Sequence, residues 1–215
     1  MPASITADRI RRRLATTKIP SNPLAVDFTH LEARIPESIV ERLRSELRPA
    51  AVLVPIIERQ NGLTVLLTKR AAALKYHAGQ ISFPGGGMEP EDSGIKATAL
   101  RETYEEVGIP AVEIEIAGFL DPSVTVTGYA VTAVVGLLNP SFQVTLDYHE
   151  VARVFEVPLE FLMDDRNVVY GEHSYEGEQI PVASYNFEEY RIWGSTAAII
   201  LKLRKLLLEK TNNYE

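Results

Sequence analysis

Three glutamates within five residues are the first feature of this chain able to do chemistry. Glu102, Glu105 and Glu106 stand at i, i+3 and i+4. On a helix of roughly 3.6 residues per turn they share one face, and their carboxylates converge. Close anions repel one another, which costs stability unless cations bind among them. Hard oxygen donors on one rigid element suit Mg²⁺ or Mn²⁺. An acidic helix face taken alone is more often just solvated, so the neighbourhood decides. Arg101 precedes Glu102 and is placed to orient its carboxylate. Upstream, Pro84-Gly85-Gly86-Gly87 forms a loop able to bring backbone groups close to a ligand.

With those neighbours included, Arg101–Ile109 resembles the Nudix box, G-x5-E-x7-R-E-U-x-E-E-x-G-U, where U is aliphatic. Arg101, Glu102, Glu105, Glu106, Gly108 and Ile109 fit it. Thr103 occupies an aliphatic position. The upstream spacing also departs. Counting back from Arg101 puts the family glycine at Gly87 and the family glutamate at Ser93. Counting from Gly86 puts Asp92 at the glutamate position, with one extra residue before Arg101. We read a one-residue insertion, with Asp92 or Glu91 standing in for the glutamate that usually partners the arginine. A second stretch runs from Leu66-Leu67-Thr68-Lys69-Arg70 through Leu74 and His77 to Gly79-Gln80-Ile81-Ser82-Phe83-Pro84-Gly85-Gly86. It resembles the L-L-T-x-R … G-Q-x-x-F-P-G-G signature of the coenzyme A pyrophosphatase branch.

The resemblance implies a Nudix fold, an α/β (α+β) arrangement with a mixed sheet between helices. It implies water attack on a phosphoanhydride, with Mg²⁺ or Mn²⁺ as cofactor. CoA would yield 4′-phosphopantetheine and adenosine 3′,5′-bisphosphate. Glu102 and Glu106 are the expected main metal ligands, with Glu105 a further or water-mediated one. The general base is sought among Glu102, Glu105 and Glu150, the last preceding an apolar strand. Arg70 suits a phosphate clamp, because guanidinium matches phosphate in a bidentate fork. Its competing role is a surface partner for an acid. His77, Gln80, Gly85 and Gly86 complete the expected substrate contacts, although Gln80 and Phe83 serve equally well as buttresses of the glycine loop. Arg101 and Asp92 orient the site. The alternatives are another Nudix substrate, such as ADP-ribose, NADH or a dinucleoside polyphosphate, and a non-catalytic metabolite sensor. Three retained glutamates argue against the sensor.

These side chains need elements to hold them. The pattern predicts a helix over about 93–107, ended by Gly108 and Pro110, with Ala97, Leu100, Tyr104 and Val107 on its apolar face and the glutamates opposite. Residues 51–57 and 63–68 are apolar and rich in β-branched residues, and they flank Asn61-Gly62, a hairpin signal. Strands follow at 112–120, 130–138 and 151–157, then a short helix at 158–163. Two or three strands lie within 168–191, and an amphipathic helix spans 193–210 with Trp193 anchoring it in the core. Residues 1–48 read as a helical extension, with helices near 8–14 and 36–47, and 49–215 as the Nudix domain. The run Arg9, Arg11, Arg12, Arg13 reads first as a solvated face.

Composition bounds the rest. The chain has 215 residues, 46% hydrophobic and 24% charged, enough for one large domain with a proper core. Its 29 acidic and 22 basic side chains leave a net charge of -7, which disfavours nucleic-acid and membrane partners. There are no cysteines, so thiolate chemistry and disulfides are excluded. A cytoplasmic setting and a small-molecule substrate are expected. The family admits a homodimer, with no sequence feature pointing to one. His30, His149 and His173 show no metal-ligand spacing.

Overall fold

The computed structural model of the chain describes residues 5–28 and 35–209. His30 and the tail from 210 lie outside them. The fold is built on β1 (Arg48–Arg59), which is apolar on both faces and is buried accordingly. Ala51, Leu53 and Ile57 point to one side. Ala50, Val54 and Ile56 point to the other. β2 (Gly62–Arg70) returns antiparallel, with Gly62 opposite Arg59 across the Gln60-Asn61 turn. β7 (Tyr129–Leu138) runs parallel to β1 along ten register pairs, Arg48↔Tyr129 to Ile57↔Leu138. The other strands of this eight-stranded mixed sheet are β3 (Ile81–Ser82), β4 (Gly85–Gly87), β5 (Ile114–Phe119), β6 (Ser123–Val124) and β8 (Val151–Pro158). A second, antiparallel sheet comprises β9 (Val168–Tyr175), β10 (Glu178–Phe187) and β11 (Tyr190–Trp193).

Helices cover both faces of the large sheet. On one face α3 (Ile95–Val107) buries Ile95, Ala99 and Val107. The opposite face carries α1 (Ala7–Leu14), α4 (Leu159–Met163) and α5 (Gly194–Leu208), which share one cluster containing Ile10, Leu14, Leu159, Leu162, Ile200 and Leu203. Each such fully buried side chain contributes about 1.5–3 kcal/mol of transfer free energy. α2 (Glu37–Glu46) packs Ile39, Val40 and Leu43 into a smaller cluster with Ile180. Among the described residues, no helix is long and apolar enough to cross a membrane.

The sheet forks at β1. Residues 50–52 of β1 pair with β4, while 56–59 pair with β2. Past the fork β2 pairs instead with β3, Thr68 opposite Ser82. Pro55 falls in the gap between the two partners, where a missing N–H donor costs least. Arg70 ends one arm of the fork and Gly85–Gly87 form the other.

Trp193 departs from expectation. It closes β11 and is only half-buried, with its ring 4.4 Å from that of His173. The core beneath α5 is made by Ile199, Ile200, Leu203 and Leu207 of that helix instead. The basic run is partly engaged. Arg11 pairs with Glu115 and Asp8 at 2.8 Å each, and Arg9 donates to the Leu207 carbonyl at 3.0 Å.

Candidate active site

α3 is rotated from the orientation its apolar residues suggest, keeping Val107 and part of Leu100 inward but not Tyr104. Tyr104 is 60% exposed, whereas Thr98, Thr103 and Glu106 are buried beside Ala99 and Val107. Glu102 and Glu106 therefore point toward the sheet rather than away from it. The three glutamates do not converge equally. The side chains of Glu102 and Glu106 are 14% and 2% exposed, and that of Glu105 is 55% exposed. Among the described residues, no three acidic or imidazole side chains stand grouped closely enough to hold a metal ion between them.

Two glycines let the helix come this close. A Cβ on Gly86 would collide with the carboxylate of Glu102. Gly85 sits at φ +153°, and a Cβ there would strike the Ala51 carbonyl oxygen. Its N–H donates to Glu106 Oε2 at 3.3 Å. Arg70 reaches the other oxygen, with Nη1 3.3 Å from Glu106 Oε1. Burial pushes the Glu106 carboxyl up to about 8, against the pull of Arg70 and the Gly85 N–H. Glu102 is also raised, first by burial and further by the charges of Glu105 and Glu150, while Arg101 opposes the shift. Glu150 acts on both carboxyls, so the fold brings it to the site. The segment before it is strapped to the end of α3, Thr145 N–H to the Val107 carbonyl and Asp147 N–H to that of Glu106.

Arg101 organises the entrance to the helix. Its Nε and Nη2 each lie 2.9 Å from an oxygen of Asp92, a bidentate fork. Nη1 reaches Glu102 at 3.0 Å and Glu105 at 2.9 Å, and Nη2 also donates to the Gly87 carbonyl. Asp92 in turn accepts from the Glu89 N–H and the Thr98 hydroxyl, at 2.9 Å each. The Arg101 fork holds the Asp92 carboxyl well below the usual carboxylate range. Glu91 is exposed, and it is Asp92 that meets Arg101. Thr98 and the Gly87 carbonyl complete this hold, and sequence reading had not named them in it. A hydroxyl on the inward face of α3, six residues after Asp92, was the available signal for Thr98.

The 71–80 loop returns to Arg70 at both ends. Arg70 N–H donates to the Gln80 carbonyl at 2.9 Å, and Gly79 N–H to the Arg70 carbonyl at 3.2 Å. Ala71 N–H donates to the Glu150 carbonyl at 2.8 Å. His77 lies exposed at φ +56°, its Nδ1 3.0 Å from Gln80 Oε1. Phe83 is 2% exposed and belongs to the core, so it buttresses the glycine arm. The Arg70 Nε is buried without a hydrogen-bond partner.

Buried carboxylates beside a glycine arm and an arginine suit a polyanion held with a hard cation. The family model described as NUDIX domain matches residues 47–208. The chain belongs to the Nudix family. It is 45% identical to the Nudix hydrolase NudL of Photorhabdus laumondii, itself described as uncharacterized, over 76% of this chain and 87% of that protein. A second NudL, from Cronobacter sakazakii, is 40% identical over 88% of this chain and 98% of that one. A crystal structure of a C. elegans Ap4A hydrolase binary complex aligns at 25% identity with a TM-score of 0.44, covering 53% of this chain and 81% of that chain. Nudix hydrolases act on diphosphate linkages of small molecules and generally need a divalent metal. The relatives bring the family and the reaction class, and no substrate.

Proposed function

We propose that this Nudix hydrolase cleaves the diphosphate of coenzyme A or a close derivative, releasing 4′-phosphopantetheine and adenosine 3′,5′-bisphosphate in a cytoplasmic setting. The observation that carries the reading is the meeting of two motifs. Arg70, which ends the L-L-T-x-R run, binds Glu106 of the Nudix helix, and Gly85 of the F-P-G-G run binds the same carboxylate. The stretch resembling the CoA branch thus forms one wall of the carboxylate site.

The donor set fits Mg²⁺ or Mn²⁺. Glu102 and Glu106 offer hard oxygens on one rigid helix, and a buried carboxylate such as Glu106 ionises readily only beside a cation. Glu102 and Glu106 would hold the ion, with Glu105 reaching it directly or through water. When bound, the ion neutralises diphosphate charge and acidifies water.

The chain's own groups supply the remainder. Arg70 clamps a phosphate oxygen. Gly85 and Gly86 keep the arm thin enough for the diphosphate to approach Glu102, and His77 and Gln80 line the loop side. A water oxygen bonds to phosphorus as the bridging P–O bond breaks, and a carboxylate takes the water's proton. Glu150 suits that base, since it sits near both metal-ligand candidates but on a separate segment; Glu102 and Glu105 are the other candidates.

The test is a substrate panel of CoA, ADP-ribose, NADH and diadenosine polyphosphates with Mg²⁺ or Mn²⁺, products resolved by chromatography, beside Glu106→Gln. Metal-dependent release of adenosine 3′,5′-bisphosphate from CoA, lost in the variant, is expected. Cleavage of another substrate alone would keep the Nudix chemistry and sink the CoA assignment.

A further inference from the structure

The last turn of a helix leaves carbonyls without an intrahelical partner. At the end of α3 two of them are taken by the segment that leads to Glu150. Thr145 N–H donates to the Val107 carbonyl at 2.9 Å, and Asp147 N–H to the Glu106 carbonyl at 3.1 Å. Between these two residues, Leu146 packs against the core beneath α3. The fit is close. Gly108 ends the helix at φ +72°, and a Cβ on it would come within 2.8 Å of both the Cβ and the carbonyl oxygen of Thr145.

Asp147 then turns the chain. Its Oδ1 accepts from the His149 N–H at 2.9 Å, the bond that a short acidic side chain makes to the backbone two residues on. Its carbonyl accepts from the Glu150 N–H at 3.0 Å and the Val151 N–H at 2.8 Å. Packing does not hold this turn, because Tyr148 is 74% exposed and His149 is exposed as well. Beyond it, the Glu150 carbonyl accepts from the Ala71 N–H, next to Arg70. Glu150 is thus tied through its N–H and its carbonyl alike. Its carboxylate has no hydrogen-bond or ion-pair partner among the described residues. A fixed backbone beneath an uncommitted carboxylate is what a general base requires.

We propose that Asp147 is a positioning residue for the hydrolysis. Its backbone bonds to both Glu106 and Glu150, and the turn closed by its carboxylate sets the offset between them. The inference rests on the reading of Glu150 as the base. Without the Oδ1 acceptor the His149 N–H turns to water, the exposed turn loosens, and Glu150 loses its fixed approach to the attacking water. The helix carboxylates keep their own supports, Arg70 and Gly85 on Glu106 and Arg101 on Glu102, so they stay in place.

Kinetics on whichever panel substrate the wild type hydrolyses would test this, so a failed CoA assignment leaves the test intact. The variants are Asp147→Ala, Asp147→Asn, Glu150→Gln and the double variant of Asp147→Ala with Glu150→Gln, with Mn²⁺ binding followed by electron paramagnetic resonance. Asp164→Ala is the control, since Asp164 makes the same bond, to the Arg166 N–H at 3.0 Å, in a turn outside the site. A misplacement of about 1 Å costs about a hundredfold, so Asp147→Ala should lose about ten- to a hundredfold in kcat, with KM and Mn²⁺ affinity within about twofold of wild type. Asp147→Asn keeps the oxygen acceptor and should recover most of the rate. Asp164→Ala should keep all of it. With Glu150→Gln present, Asp147→Ala should cost nothing further, because the base is already gone. A full rate in Asp147→Ala, a fall in its Mn²⁺ affinity, or an equal loss in Asp164→Ala would each overturn the proposal. A slow Glu150→Gln with an undiminished further loss from Asp147→Ala would overturn the positioning role alone. A wild-type rate in Glu150→Gln would sink the base assignment and the positioning role with it.

Discussion

The carboxylate of Glu102 occupies the space that a side chain on residue 86 would need. A backbone without a Cβ is therefore part of the reaction site. Gly86→Ala must push Glu102, the helix or the arm aside. Displacements of this size cost about a hundredfold in rate. We expect that loss in kcat with the protein still folded by circular dichroism. Retention of more than half the activity would show that the contact is slack.

Glu106 and Glu105 differ in burial, 2% against 55% exposed side chain, and should differ in consequence. Glu106→Gln is expected to lower kcat by about a thousandfold or more through loss of metal charge stabilisation. Its thermal midpoint should stay level or rise, because a buried amide costs less than a buried carboxylate. Glu105→Gln should cost about tenfold, consistent with a water-mediated contact. Equal losses in both variants would mean that the two carboxylates share the metal equally.

Chelation offers a test of the site without mutation. EDTA should abolish hydrolysis, and Mn²⁺ should restore it and raise the melting temperature of the wild-type protein. The rise should shrink in Glu106→Gln. An identical rise in both proteins would place the ion elsewhere.

Asp92→Asn breaks the fork on Arg101 at a side chain that is 5% exposed. Arg101 keeps Glu102 and Glu105, so the loss should be about 2 kcal/mol, below that of a fully orphaned charge. The pH dependence has a fixed sign. The folded carboxyl of Asp92 is depressed, so its stabilisation is present above the unfolded value near 4 and is lost as pH falls through the folded one. Urea unfolding at several pH values should show the gap between wild type and variant constant from pH 5 to 7 and narrowing below about pH 4.

Arg70→Lys keeps the charge near Glu106 and removes the planar fork. KM for the diphosphate substrate should rise about tenfold, with a smaller change in kcat. If kcat falls instead while KM holds, Arg70 acts on the transition state rather than as a ground-state clamp.

Much of this protein was legible without coordinates because the signals are local. Alternation and β-branching marked β1, β2, β7 and β8, and Asn61-Gly62 marked the hairpin. The spacing of Glu102, Glu105 and Glu106 put the carboxylates on one helix face. Backbone geometry alone sets these periods, so they survive any packing. The tertiary structure decided which face of α3 is buried. Apolar counting put Tyr104 inward and the glutamates opposite, yet Tyr104 is exposed, and Glu102 and Glu106 share the inward side with Ala99 and Val107, because that side meets both the core and the site. Packing also selected Asp92 over Glu91, left Trp193 half-buried, and set Arg70 against Glu106, 36 positions apart in the chain. It brought Glu150 to the same carboxyls and opened the fork between β2 and β4. Each of these depends on contacts between distant segments. A residue's own type records what it can bind, while its burial and its partners are set by the chain that folds over it.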